Sequence, residues 1–149
     1  AAWMEEWNRM RKGKDAANKI AVIELRTAPR YGKFFQHAPA TAKAKITRAK
    51  DTIQVVIEDF ISPSIIERLR EQAGVLTPRI DDWRAMVDCV MIDTAYDGQV
   101  FKVTLADVPE KKTDFVSGAY ALPAPKGKTT VALKIVDMLG EEVLVTAHV

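Results

Sequence analysis

An antiparallel β-sandwich is the fold this sequence predicts, and three observations predict it. Apolar residues alternate with polar ones through Val131, Leu133 and Ile135 and again through Val143, Val145, Ala147 and Val149, the mark of strands with one buried face. Asp137-Met138-Leu139-Gly140-Glu141 lies between them with the composition of a hairpin turn. The same alternation recurs upstream, so most of the chain is built this way.

The N-terminal segment differs. Trp3, Met4, Trp7 and Met10 recur at three- and four-residue spacings with Glu5, Glu6, Arg9 and Lys12 between them, which predicts a short amphipathic helix ending before Gly13. Two tryptophans on so short a helix suit packing on this domain or, the reading preferred here, a stub of a longer helix docked on a part of the protein that lies outside this sequence. Over 20–26 Val22 and Ile23 favour a strand while Ala16, Ala17 and Leu25 permit a helix, and the strand is the reading adopted; the prolines and glycine of 29–39 mark a connector. The expected division is therefore 1–39, an N-terminal helix with a basic connector, and 40–149, the β-sandwich.

Along 41–48, Ala42, Ala44 and Ile46 alternate with Lys43, Lys45 and Thr47, a half-exposed strand whose lysines discourage edge-to-edge pairing. Ile53, Val55 and Ile57 repeat the pattern after a turn at 48–51, giving a second hairpin. Ser62 can cap a helix, Pro63 fits its first position, Ser64 and Glu67 have capping-box spacing, and Gly74 ends it. After the Thr77-Pro78 turn, 85–94 is apolar on both faces, as a central strand must be. Asp97-Gly98 tolerates the positive φ of a tight turn and predicts a third hairpin to Phe101, Val103 and Leu105. The polar stretch 109–128 reads as a long loop or as holding one short strand around 116–122. Six or seven strands at irregular spacing with one inserted helix make the expected class mainly β, an immunoglobulin-like sandwich.

The 149 residues are 48% hydrophobic, enough for one core, and contain no apolar run long enough to cross a membrane. The first residues lack the layout of a secretory signal and an initiating Met, which predicts a soluble, cytoplasmic piece of a longer protein with no membrane partner. The single Cys89 suits a reducing compartment. Residues 1–50 hold twelve Lys and Arg against four acids, whereas the remainder is acidic. A basic block of this kind suits phosphate backbones, although an ordinary solvated surface explains it as well. The candidates for nucleic-acid contact are Arg9, Arg11, Lys12, Lys14, Lys43, Lys45, Arg48 and Lys50.

Catalytic and metal chemistry find little support. Asp81, Asp82, Asp88, Asp93 and Asp97 crowd one stretch, but their spacing matches no calcium loop and turn chemistry accounts for Asp81, Asp82 and Asp97. His37 and His148 are too few for a structural zinc. Cys89 sits in the most apolar strand, where a thiolate is disfavoured. Gly127 between Lys126 and Lys128 is a turn tip whose lysines offer a weak phosphate contact. Trp83, Tyr96 and Phe101 could form an aromatic platform, but packing is the ordinary role of rings beside strands.

Asp82-Trp83-Arg84, Val87-Asp88, Ile92-Asp93, Tyr96-Asp97-Gly98-Gln99-Val100-Phe101 and the closing Thr130-Val131-Ala132-Leu133-Lys134-Ile135-Val136-Asp137 together resemble the C-terminal region of adenine-specific DNA methyltransferases of the type III restriction-modification kind. The resemblance covers about half the chain. It implies a bacterial enzyme that transfers a methyl group from S-adenosylmethionine to an extruded adenine. The family's Asp-Pro-Pro-Tyr and Phe-x-Gly motifs are absent, and its phenylalanine-glycine turn is Leu139-Gly140 here. The resemblance therefore implies an accessory domain with no catalytic, cofactor or metal residue, whose partners are DNA, other domains or a restriction subunit. An immunoglobulin-like adhesion or protein-binding module is the alternative, and a free-standing enzyme ranks last.

Overall fold

The computed structural model describes residues 38–73, 79–111 and 113–149. The expected helix at 3–12, the strand at 20–26, the connector at 29–37, and the Gly74 and Thr77-Pro78 signals lie outside the described residues. Pro39–Val149 forms one compact unit. It is an antiparallel β-sandwich. One sheet has the order β1 (Thr41–Ala49), β2 (Thr52–Ile61), β5 (Ala119–Pro123); the other has the order β4 (Leu105–Asp107), β3 (Val87–Asp93), β6 (Thr130–Asp137), β7 (Glu142–His148). A helix, α1 (Pro63–Ala73), is inserted between β2 and β3.

Alternation decides which side chains meet. Ile53, Val55, Ile57 and Phe60 of β2 turn inward opposite Val90 and Ile92 of β3 and Val131, Leu133 and Ile135 of β6, all buried in a single cluster. Enclosing each of these larger side chains contributes about 2 kcal/mol. The β6–β7 ladder runs from Thr130 opposite His148 to Val136 opposite Glu142, so the expected closing hairpin is present. Its second strand, with Val143 and Val145 only half-buried, borders the core as an edge. The expected β1–β2 hairpin is also present, with Ala49 opposite Thr52 across the two-residue turn Lys50-Asp51. Lys50 holds that turn at φ 51°, a conformation that glycine adopts more cheaply.

The end of the sandwich where α1 begins is organised by buried polar groups. Ser62, fully buried, accepts from the Ile65 N–H at 3.4 Å as the cap of α1, and its hydroxyl donates to Asp137 Oδ2 at 2.7 Å. The other Asp137 oxygen accepts from the N–H groups of Leu139 at 2.9 Å and Glu141 at 2.8 Å, which shapes the β6–β7 turn. Glu141 Oε1 accepts from the Ala40 N–H at 3.1 Å, and Ser64, the first residue of the expected capping box, donates to Glu141 Oε2 at 3.5 Å. Ser62 thus caps with Pro63 as the first helical residue, as expected, while Ser64 turns to a distant partner.

Two elements depart from expectation. The stretch 85–94 does not begin as a strand: Trp83–Met86 form a 3-10 turn, capped by Asp82, before β3 begins at Val87. The tight hairpin at Asp97-Gly98 opens instead into a wide loop, and β4 keeps only Leu105–Asp107 against Val90–Ile92. The cause is Asp93, whose buried carboxylate accepts from the Ala95 N–H at 2.8 Å and the Lys102 N–H at 2.7 Å, groups that a continuous ladder would have paired. Phe101 and Val103 therefore lie off the strand. Asp97 makes its own turn by accepting from Gln99 and Val100, both at 2.8 Å, and those N–H groups, Val100 first, hold its carboxyl below its ordinary range.

The stretch 109–128 does hold a strand, β5, which crosses to the other sheet and pairs with β2. Asp107 steers the crossing: Oδ2 accepts from the Ser117 N–H at 2.7 Å and from the Tyr120 hydroxyl at 2.8 Å. Burial, followed by the Asp107 carboxylate, raises the Tyr120 phenol well above its ordinary value, so it stays a donor. Gly118 is then pressed against Trp83, because a Cβ at Gly118 would lie 3.0 Å from Cη2 and Cζ2 of the indole and φ there is +77°.

That crowding predicts that Gly118→Ala destabilises the domain by about 2 kcal/mol in a denaturant titration, from backbone strain plus overpacking. Asp82 yields a second prediction. Its carboxylate accepts from the Arg84 guanidinium and the Arg84 N–H, and that pairing holds the carboxyl below its ordinary range. A depressed value stabilises the fold above the unfolded pKa and loses that contribution as pH falls through the folded one. Asp82→Ala should therefore cost about 1 kcal/mol at neutral pH. Thermal unfolding of the two proteins should converge as the pH falls from about 4 towards 2.

Candidate nucleic-acid interface

Strand β1 is an edge, so its alternation writes two different faces. Lys43, Lys45 and Thr47 point outward and are exposed, while Ala42, Ala44 and Ile46 pack on the core. No described residue ion-pairs with Lys43 or Lys45. Opposite them on β2 stand Asp59 and Val56 respectively, so Lys45 has an uncharged neighbour and Lys43 does not.

Arg48 continues the inward parity of β1 and has a different role from the lysines. Its Nε donates to the Lys50 carbonyl at 3.2 Å, one Nη donates to the Pro125 carbonyl at 2.8 Å, and the other donates to the Gly127 carbonyl. Five fixed donors on a planar head suit such multiple capture, which a lysine cannot reproduce. One guanidinium thereby ties the β1–β2 turn to the β5–β6 loop. The Ala124 N–H reinforces the junction by donating to the Asp51 carbonyl at 2.8 Å.

This junction fixes exposed lysines around itself: Lys50 on the turn, with Lys126 and Lys128 on the captured loop. Arg9, Arg11, Lys12 and Lys14 lie outside the described residues. Of the remaining sequence candidates, Lys43, Lys45 and Lys50 are exposed cations, and Arg48 is a brace. Lys126 and Lys128 carried only a weak signal in sequence, because nothing local shows that a distant arginine holds their loop.

Beside the lysines lies an open cleft of about 610 Å³, lined by Tyr96, Lys128, Thr129, Thr130, His148 and Val149. Its walls are tied together: the Tyr96 N–H donates to the Thr130 carbonyl at 2.9 Å, the Thr129 hydroxyl donates to the Thr94 carbonyl at 2.7 Å, and Thr129 and Val149 exchange backbone bonds. Tyr96 is braced by Phe101, with ring centroids 6.2 Å apart, and Phe101 also lies under the Lys134 ammonium at 5.3 Å. Trp83 packs against Gly118 and the core, so of the three rings weighed as a platform only Tyr96 and Phe101 come together.

The acidic residues that crowd the sequence are dispersed by the fold. Asp81 pairs with Arg79 and Asp97 faces Lys102, while Asp82 and Asp93 organise turns. Among the described residues no group of three or more His, Cys, Asp or Glu side chains converges. Cys89 is half-buried in β3, and burial, then the neighbouring Asp88 charge, raises its thiol above the ordinary value, which disfavours the nucleophilic thiolate. No helix among the described residues is long and apolar enough to cross a membrane.

If Arg48 holds the loop, Arg48→Ala should cost about 1–2 kcal/mol in denaturant unfolding. Amide exchange should accelerate most at 124–128, with Arg48→Lys rescuing little of it. A scan against protein-family models returns no match to the chain, and comparison with curated proteins and with solved structures returns none either.

Proposed function

We propose that this chain is a noncatalytic accessory domain of a DNA-modification methyltransferase, which helps hold DNA through its edge strand β1 and its Lys50, Lys126 and Lys128 end. The observation that carries the reading is the Arg48 brace, which fixes a loop bearing two lysines beside the lysine of a second turn. Lysines on pre-ordered backbone spare the backbone's share of the ordering cost on meeting phosphate, and each phosphate neutralised releases counterions. Asp51 shares the turn with Lys50 and Asp59 stands opposite Lys43, so the positive surplus rests on Lys45, Lys126 and Lys128.

The strand orders support the immunoglobulin-like form of the sandwich. With β1 to β7 taken as A, B, C, C′, E, F and G, the sheets read A-B-E and C′-C-F-G. On this lettering the basic end carries the A–B turn and the E–F loop, opposite the end whose B–C and F–G loops bind ligands in immunoglobulin variable domains. The methyltransferase setting rests on the sequence resemblance at 82–101 and 130–137. S-adenosylmethionine belongs, on this reading, to the catalytic part of the parent enzyme, and a cytoplasmic setting follows from that role.

Protein docking is a second reading, favoured by the exposed apolar side chains Leu144 and Val103. A restriction subunit or another domain of the parent enzyme would then be the partner. Anisotropy titrations of the full chain with a short duplex, from about 50 to 200 mM salt, separate the two. Binding should weaken steeply with salt, and Lys43→Ala with Lys45→Ala should lower the slope of log affinity on log salt by about 2. No duplex binding at the lowest salt would defeat the DNA reading and leave protein docking.

A further inference from the structure

We infer that the outer edge of β5 pairs with the same edge of a second copy of this chain, antiparallel and about a two-fold axis at Ala121. Register with β2 fixes which way each backbone group of β5 points. Tyr120 lies opposite Val55 and Leu122 opposite Ile53. The same parity extends to Gly118, whose carbonyl accepts from the Ile57 N–H at 2.8 Å, and to Ala124, whose N–H donates to the Asp51 carbonyl. The even-numbered residues therefore spend their backbone on β2, and Ala119, Ala121 and Pro123 turn theirs away from it. All three are exposed, and β5 ends its sheet.

The outward groups complement themselves. Among the described residues, the Ala119 N–H, both backbone groups of Ala121 and the Pro123 carbonyl have no hydrogen-bond partner. The Ala119 carbonyl is already occupied, since it accepts from the Ser117 hydroxyl at 3.1 Å, and Pro123 has no N–H. With Ala121 opposite Ala121 of the second copy, each N–H donates to the other's carbonyl. Ala119 then faces Pro123 of the second copy and donates to its carbonyl. The one bond that this register omits, from position 123 back to the Ala119 carbonyl, lacks its donor and has its acceptor filled. Self-pairing thus strands nothing, which an unrelated strand with a full set of N–H groups would not achieve.

The side chains agree with the backbone. Ala119, Ala121 and Pro123 are small and uncharged, so two copies approach without a clash or a like-charge contact. Half-buried Tyr120 meets Leu122 of the second copy at the closer, non-bonded position of the ladder. Lysines guard the other edge of the same sheet, at positions 43 and 45 of β1, while β5 carries no charge. Growth therefore stops when three strands from each copy have joined, and the assembly closes as an isologous pair. A two-fold perpendicular to the sheet leaves both β1 strands on the outer rims, so the pairing does not depend on the function proposed above.

The test is sedimentation velocity of the full chain over a concentration series, joined to amide hydrogen exchange at the same concentrations. The mass should rise towards twice that of one chain, and exchange at the Ala119 and Ala121 amides should slow as it does so. Ala121→Pro removes the central donor at a position where the single copy tolerates proline, because that N–H faces solvent. It should weaken the dimer more than about tenfold. Ala121→Lys sets two ammonium groups opposite each other and should weaken the dimer at low salt, with partial recovery at high salt. Unfolding midpoints close to the parent's confirm that both variants fold.

A chain that stays monomeric up to about 1 mM overturns the inference and leaves the edge to a strand of a different protein. A dimer that both variants leave unchanged, with the Ala119 and Ala121 amides still exchanging freely, uses another face and overturns it equally.

Discussion

The fold depends on one buried carboxylate. Asp137 ends β6 with almost no solvent exposure, and an ionised group there must find donors or unfold its surroundings. It finds the Leu139 and Glu141 amides on one oxygen and the Ser62 hydroxyl on the other. The first pair closes the last hairpin. The second reaches across to the other sheet, where Ser62 also caps α1. Hairpin geometry, helix start and sheet-to-sheet alignment thus share a single acceptor, and the apolar side chains of β2, β3 and β6 pack around a frame that it has set.

A division of labour follows from where the polar bonds fall. At the Asp137 end the bonds are buried and join elements that must not move. At the other end Arg48, the most connected side chain, is only partly buried, and it holds exposed loops by their carbonyls and leaves the lysine side chains on those loops in water. Rigid support beneath solvated charge favours a binding surface. The same economy is seen in Asp93, which spends its carboxylate on the Ala95 and Lys102 amides of the β3–β4 loop, and in Asp107, which accepts from the Ser117 amide and the Tyr120 hydroxyl where the chain crosses to β5.

Much of this was legible in the sequence because period-2 alternation and cap chemistry are local. The closing hairpin followed from Val131, Leu133 and Ile135, and the helix from Ser62-Pro63. What could not be read was decided by partners far along the chain. Asp97-Gly98 signals a tight turn correctly, yet Asp93 takes the amides on which a ladder would depend, and no periodicity records that competition. Strand β5 buries only Leu122 deeply, so its pattern is too faint to separate from loop. Arg48 looks like one more cation in a basic block until the carbonyls of Pro125 and Gly127 come to it. The cleft is less visible still, since Tyr96, Lys128 and His148 meet only when β6 lies between its neighbours.

The bond from the Ala40 amide to Glu141 spans 101 positions of the chain, and it carries a kinetic consequence. Closing a loop of that length costs entropy before any contact rewards it, which places sandwiches of this sort among slow folders, in milliseconds to seconds. During synthesis the local β1–β2 hairpin can form early, but the Ala40 amide waits for Glu141 until nearly the whole domain has left the ribosome, and the outer edge of β1 is open throughout. Through that interval the lysines at 43 and 45 serve the nascent chain, because charge along an open edge repels the neighbouring chains with which it would otherwise aggregate.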